Sequence, residues 1–256
     1  MKILAALKQV SARDSSLRPS PDQRWIEDAD LAYEINEPDA YALEEALQLK
    51  EKHGGEVVVV SAGPARAAQS IREALAKGAD RAIHIEADGL DTWDSLNIAM
   101  LLARAVESEK PDLILTGLQS EDLGYGQTGV ILAELLGLPH ATIIMQVEVL
   151  DGSIRVKREL EEGWFQHIEM PLPALLTIQS GISKLRYATL MGIKRARTKE
   201  IRRVTSEQLG FTPAPALEIA RVYPPQKTKQ TEILDGDAKQ AAHRLVERLR
   251  FSARVL

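Results

Sequence analysis

Val57-Val58-Val59-Val60-Ser61-Ala62-Gly63-Pro64 is the stretch on which the fold turns. Four consecutive β-branched residues without polar alternation predict a strand covered on both faces, as in a parallel sheet. The run passes directly into Ser61-Ala62-Gly63-Pro64 and then into a predicted helix over 65–77, which Gly78-Ala79-Asp80 ends. A strand that hands straight over to a helix is half of a βαβ unit.

Reading outward, the same alternation recurs on both sides. Upstream, 3–10 is a short apolar run, and Asn36-Glu37-Pro38-Asp39 starts a helix. Pro38 suits the first turn, and Asp39, Glu44 and Glu45 favour the positive end of the helix dipole. Ala42, Leu43, Ala46, Leu47 and Leu49 then follow helical spacing until His53-Gly54-Gly55. Downstream, strands are predicted over 82–85 and 113–115, and helices over 93–109 and 130–136. This alternation implies an open, mostly parallel, doubly wound α/β sheet with right-handed crossovers.

After residue 140 the pattern changes. Segments 143–150 and 153–159 flank Asp151-Gly152, a two-residue hairpin signal. With strands over 165–170 and 173–179, they predict an antiparallel extension of the sheet. Pro213, Pro215, Pro224 and Pro225 mark 213–229 as an extended linker or arm, and 238–251 as a terminal amphipathic helix. The expected organisation is an α/β domain over 1–210 and a C-terminal arm and helix over 211–256.

Composition narrows the chemistry. The 256 residues are 27% charged and 45% hydrophobic, ordinary for a globular protein. With 4% aromatics, the core must be built from Ala, Leu, Val and Ile. There is no cysteine, which excludes disulfides, thiolate zinc sites, iron–sulfur ligation and a cysteine nucleophile. The apolar start is too short for a secretory signal and reads as a buried strand, and no stretch reaches the ~18–20 residues of a membrane span. The expectation is a cytoplasmic protein. A net charge of −5 gives no overall footprint for nucleic acid.

Ligands of doubly wound sheets bind beyond the carboxyl ends of the strands. Three loops there are informative. Ser61–Pro64 is small enough for a ligand to approach the backbone, and it opens a helix. The Asn36–Asp39 turn offers side-chain donors and acceptors near the first strand end. The third loop, from Thr116 to Gly129, carries Gly124, Gly126 and Gly129 among its last six residues and again opens a helix. Gln127-Thr128-Gly129 would present amides and a hydroxyl to a phosphate. Together the loops describe a nucleotide cradle that is neither a Walker A loop nor a G-x-G-x-x-G fingerprint.

Reactive groups are scarce. His53, His84, His140, His167 and His243 show no metal-ligand spacing, and there is no G-x-S-x-G elbow. His53 in a helix stop and His84 in a strand read as structural. No catalytic residue and no metal site is assigned, so the cradle points to binding rather than turnover.

The segment 180–199 follows a strand and runs into Lys194, Arg195, Arg197, Lys199, Arg202 and Arg203, with Glu200 opposed. An isolated basic run is usually a solvated helix face. Here Tyr187, Leu190, Met191 and Ile193 are interleaved with the charges, and apolar anchors rimmed by Arg and Lys are a protein-docking composition. RNA binding would want more stacking aromatics.

These residues resemble the electron transfer flavoprotein beta subunits over nearly the whole chain. The resemblance rests on Lys8-Gln9-Val10, on Asn36 through Ala46, on Ser61–Pro64 and on Ala76-Lys77-Gly78-Ala79-Asp80-Arg81. It continues through Thr116-Gly117-Leu118-Gln119-Ser120 with Gln127-Thr128-Gly129, Val156–Gly163 and Arg186-Tyr187-Ala188-Thr189-Leu190.

The resemblance implies a Rossmann-like, adenine-nucleotide-binding fold and a heterodimer with an alpha subunit that holds most of the FAD. It implies an electron carrier without bond-making chemistry of its own, fed by flavoprotein dehydrogenases and discharged to a quinone-linked oxidoreductase. A structural AMP would be bound by Ala6, Asn36, Glu37, Pro38, Asp39, Ala62, Gly117, Leu118, Gln119, Ser120, Asp122, Gln127, Thr128 and Gly129.

A recognition loop at about 182–200 would dock dehydrogenases through Tyr187, Leu190, Met191, Ile193, Lys194 and Arg195. Two departures stand out. Ser183-Lys184-Leu185 replaces the family's Asn-x-Pro before Arg186-Tyr187, and Ala12-Arg13 occupies the place of an aromatic near the flavin.

Three alternatives remain. Bifurcating relatives place a second FAD where AMP would sit. An ATP-using α/β enzyme would want a Ser-Gly-Gly-x-Asp-Ser loop, which Ser61–Pro64 lacks. The third is a plain nucleotide-sensing module.

Overall fold

The computed structural model describes residues 1–90, 93–225 and 231–256. It divides into two compact units, Met1–Val222 and Tyr223–Leu256. The first alternates β1 (Lys2–Ala6), α1 (Glu37–His53), β4 (Glu56–Gly63), α2 (Ala68–Lys77), β5 (Arg81–Glu86), α3 (Ser95–Val106), β6 (Leu113–Gly117) and α4 (Thr128–Leu135). A small antiparallel pair, β2 (Gln9–Ser11) with β3 (Tyr33–Ile35), is inserted after β1. The chain continues through β7 (His140–Val149), β8 (Ser153–Glu159), β9 (Phe165–Pro171), β10 (Ala174–Ile178), α5 (Leu190–Ala196) and β11 (Ile201–Thr205).

Among the described residues, the main sheet has nine strands in the order β11-β5-β4-β1-β6-β10-β7-β8-β9. Pairing is parallel from β11 to β7 and antiparallel across β7-β8-β9. The valine run shows why the sheet is covered twice. Val57 and Val59 enter one core with Ala42, Leu43, Leu47, Ile71 and Leu75 of α1 and α2. Val58 and Val60 enter the other with Ala99, Leu102 and Leu132 of α3 and α4. All four are fully buried, each contributing about 1.5–3 kcal/mol of apolar burial.

Three expectations need correction. The apolar run at 3–10 is two strands, broken at Leu7-Lys8: the Leu7 amide makes the last rung of β1 on β4 by donating to the Val60 carbonyl, and the Lys8 amide turns to Asp39 Oδ2. The strand read at 173–179 is not antiparallel. β10 lies parallel between β6 and β7, with Ala174 to Ile178 in register with Leu113 to Gly117. Its five residues are all buried, which an outlying antiparallel strand would not need.

The basic run ends in a strand and not on a helix face. Arg202 and Arg203 belong to β11 at the sheet edge, where Arg203 reaches Glu86 and Arg202 reaches Glu109. Lys199 turns inward onto carbonyl groups of α2.

The stretch read as a linker at 213–229 is tied down in its first half. Phe211 packs on Trp93, with ring centroids 6.1 Å apart. The Ala214 amide donates to Asn97 Oδ1 and the Ala216 amide to Asp94 Oδ2. Residues 226–229 of that stretch lie outside the described residues. In the second unit, α6 (Ala238–Glu247) starts at a capping box of Asp237 and Gln240 and passes into a π-helical turn, Arg248–Ser252. Among the described residues, no helix is long and apolar enough to cross a membrane.

Candidate functional site

The chain leaves β1 towards β4 on one side, then returns to place β6 on the other. This reversal makes the crevice beyond the ends of β1 and β6 the topological switch point, where open α/β sheets bind ligands. A cleft lies there.

Its floor is Ala6, Leu7, Lys8 and Gln9 after β1, with Thr116 and Gly117 at the end of β6. One wall is Ala62 and Gly63 at the end of β4, with Pro64 and Arg66 after it. Another is Leu90, Trp93, Ser95, Ile98 and Leu102 around α3. The loop after β6 closes it with Leu118, Gln119, Ser120, Leu123, Tyr125, Gly126, Gln127, Thr128 and Gly129.

Two buried side chains of α1's first turn hold this arrangement together. Asn36, 1% exposed, donates from Nδ2 to the Gln119 carbonyl and accepts the Glu121 amide on Oδ1. It clamps the long loop. Asp39 accepts the Lys8 amide on Oδ2 at 2.7 Å and the Gly117 amide on Oδ1 at 2.9 Å. It straps the ends of β1 and β6 across the switch point. Burial pushes the Asp39 carboxyl up to about 7, against the pull of those amide donors.

Two glycines make the strap possible. A Cβ on Gly117 would stand 2.3 Å from Asp39 Oδ1 and 2.7 Å from its backbone nitrogen. One on Gly129 would meet Thr116 Oγ1 at 2.6 Å, so only glycine lets α4 start this close to the sheet.

Helix starts differ in how their amides are met. The cap of α3, Asp94, accepts the Asn97 amide, and that of α5, Thr189, accepts the Gly192 amide. Gln127, which caps α4, makes no such side-chain bond, and neither does Pro64 at the turn before α2. Asn36 before α1 makes none either, and all three of these starts line the cleft, where first-turn amides suit an anion.

Of the fourteen residues picked out for the nucleotide, Ala6, Asn36, Asp39, Ala62, Gly117, Leu118, Gln119, Ser120, Gln127, Thr128 and Gly129 line this cleft. Glu37, Pro38 and Asp122 do not. Glu37 and Glu121 share Arg13, Pro38 is buried in the first turn of α1, and Asp122 pairs with Lys8 Nζ at 2.7 Å. Lys8, Arg66, Leu90 and Trp93 are cleft residues that the sequence reading passed over. The loop after β5 obeys the same strand-end rule and could have been added on that ground. His84 is fully buried, with Nε2 at 3.1 Å from the Gly63 carbonyl, and burial lowers its pKa.

The second candidate site is a projection. Tyr187 is 93% exposed and Leu190 87%, with Met191, Ile193, Lys194 and Arg195 also exposed. Behind them Arg186 is fixed to α1. Its Nε donates to Glu44 Oε2 at 2.8 Å and its Nη1 to Glu51 Oε1 at 2.5 Å.

Sheet order and switch-point cleft define a doubly wound α/β protein. The chain belongs to the beta subunits of the electron transfer flavoprotein family. Residues 24–209 match the family model described as the electron transfer flavoprotein domain. The chain is 38% identical over 252 residues to the electron transfer flavoprotein subunit beta of Methylophilus methylotrophus, covering 94% of this chain and 96% of the relative. It is 36% identical over 259 residues to the subunit of Oryza sativa subsp. japonica, which is named as mitochondrial, covering the full length of both. To the human subunit it is 35% identical over 237 residues, 91% of this chain and 92% of the relative.

Proposed function

We propose that this chain pairs with an alpha subunit to form an electron carrier, and that its own cleft holds AMP as a structural nucleotide. The observation that carries the reading is the convergence of eleven of the fourteen sequence-selected nucleotide residues on one cleft at the switch point. A mononucleotide fits the chemistry there. Amides of the turn before α2 and of the α4 start meet the phosphate, and the Gly117 and Gly129 backbones allow close approach. Asn36 and Asp39 spend their polar atoms on backbone groups, so they shape the cradle rather than grip the ligand. Among the described residues the cleft presents no paired acid and base, which suits storage of a ligand rather than its turnover.

FAD, held mainly by the alpha subunit, supplies the redox chemistry when bound. This chain contributes the scaffold and the docking point: Leu190, Met191 and Ile193 enter an apolar pocket on a flavoprotein dehydrogenase, rimmed by Tyr187, Lys194 and Arg195. Electrons then pass to a quinone-linked oxidoreductase, in a cytoplasmic complex.

Co-expression with a matching alpha subunit, followed by release of bound nucleotides and mass identification, tests this. The expected result is a yellow complex with one FAD and one AMP. Two FAD and no AMP would favour the bifurcating alternative. A colourless complex overturns the reading.

A further inference from the structure

The helix that presents Leu190 has seven residues, well below the length at which a helix holds itself together in water. Its order must come from outside. Gly192 supplies one hold, since a Cβ there would stand 2.2 Å from the Ala76 carbonyl oxygen. α5 therefore rests directly on the end of α2. The other hold is reciprocal. Arg72 of α2 donates from Nη1 to the Ala196 and Lys199 carbonyls, at 2.6 and 2.8 Å. In return, Lys199 donates from Nζ to the Leu75 carbonyl at 3.0 Å and to that of Ala79. The end of α5 thus receives a cation from α2, and the end of α2 receives one from the turn that follows α5. Neither cation belongs to the exposed apolar array.

We propose that Gly192, Arg72 and Lys199 are positioning residues for partner docking, forming a clamp between α2 and α5 that fixes the array of Leu190, Met191 and Ile193 before the partner arrives. This rests on the docking reading above. A preset array avoids the ordering cost of each side chain at the moment of binding. The clamp acts on association and leaves the electron-transfer step untouched.

The test uses the intact complex with its alpha subunit. The donor is whichever reduced flavoprotein dehydrogenase of the same cell transfers electrons fastest to the unaltered complex. Arg72→Ala and Gly192→Ala are expected to raise KM for that dehydrogenase roughly tenfold, with kcat and the rate of reduction by dithionite unchanged. Amide exchange over 190–196 should accelerate, and Arg72→Lys should recover part of the lost KM.

Leu190→Ala runs alongside. If it raises KM while Arg72→Ala and Gly192→Ala leave KM unchanged, the clamp is overturned and docking stands. If kcat falls instead of KM rising, the clamp is also overturned. If Leu190→Ala leaves KM unchanged, the docking reading itself fails and the clamp with it. Should Gly192→Ala not give a folded complex, Arg72→Ala decides alone.

Discussion

The cleft and the docking segment solve opposite problems with the same material. In the cleft, polar side chains are buried and their partners are backbone amides and carbonyls: Asn36 on Gln119 and Glu121, Asp39 on Lys8 and Gly117. In the docking segment, apolar side chains are exposed, and charged ones behind them do the fastening. A cleft that must keep its shape invests in the sheet. A projection that must meet another surface leaves its contacts unmade. Damage to the first should therefore register as lost stability, and damage to the second as lost transfer at constant stability.

The largest expected effect is Gly117→Ala, which forces a Cβ into the Asp39 strap. A loss of about 3 kcal/mol is expected from thermal unfolding of the complex, with nucleotide content falling in parallel. Unchanged stability would mean that the strap yields, and that the two regions are less different than drawn here. Stripping the nucleotide comes next. Relative to a hundredfold excess over Kd, it should cost about 2.7 kcal/mol and be reversed by adding AMP.

Glu45 sharpens the comparison at a third place. Burial, and then the Glu44 charge, push its carboxyl up from 4.5 to about 7. Between those values the folded chain binds more protons than the unfolded one. The stability this group contributes is complete below pH 4.5 and is lost as pH rises through 7. Glu45→Gln removes that loss, so relative to the native chain the variant should gain about 2.5 kcal/mol between pH 5 and pH 8 in denaturant titrations. Smallest in stability is Leu190→Ala, within about 0.5 kcal/mol. It should nevertheless slow electron acceptance about tenfold at unchanged flavin content, as for an anchor in a partner's pocket.

What was legible in the sequence was local. Val57–Val60 announces a strand buried on both faces because nothing polar interrupts it, and the loops after β1, β4 and β6 announce the cleft because strand ends are where ligands go. What was hidden depends on distant pairing. No periodicity in Ala174–Ile178 states that it fits between β6 and β7, since that neighbour relation joins residues some sixty positions apart. β11 was masked by its arginines, which an edge strand tolerates because their charged ends still reach water and carboxylates. Trp93 was read as helix and not as cleft wall because its cleft-facing role appears only once α3 is laid on the sheet.

The late insertion of β10 has a consequence for biogenesis. When the ribosome has produced the chain through β9, the meander of β7, β8 and β9 can zip by itself, yet it has no seat. The flank of β6 stays open until residues 174–178 emerge and slide in as the keystone. Until then the nascent chain exposes two unpaired apolar borders, a span in which chaperones have their opportunity and a stalled or truncated product is prone to aggregate.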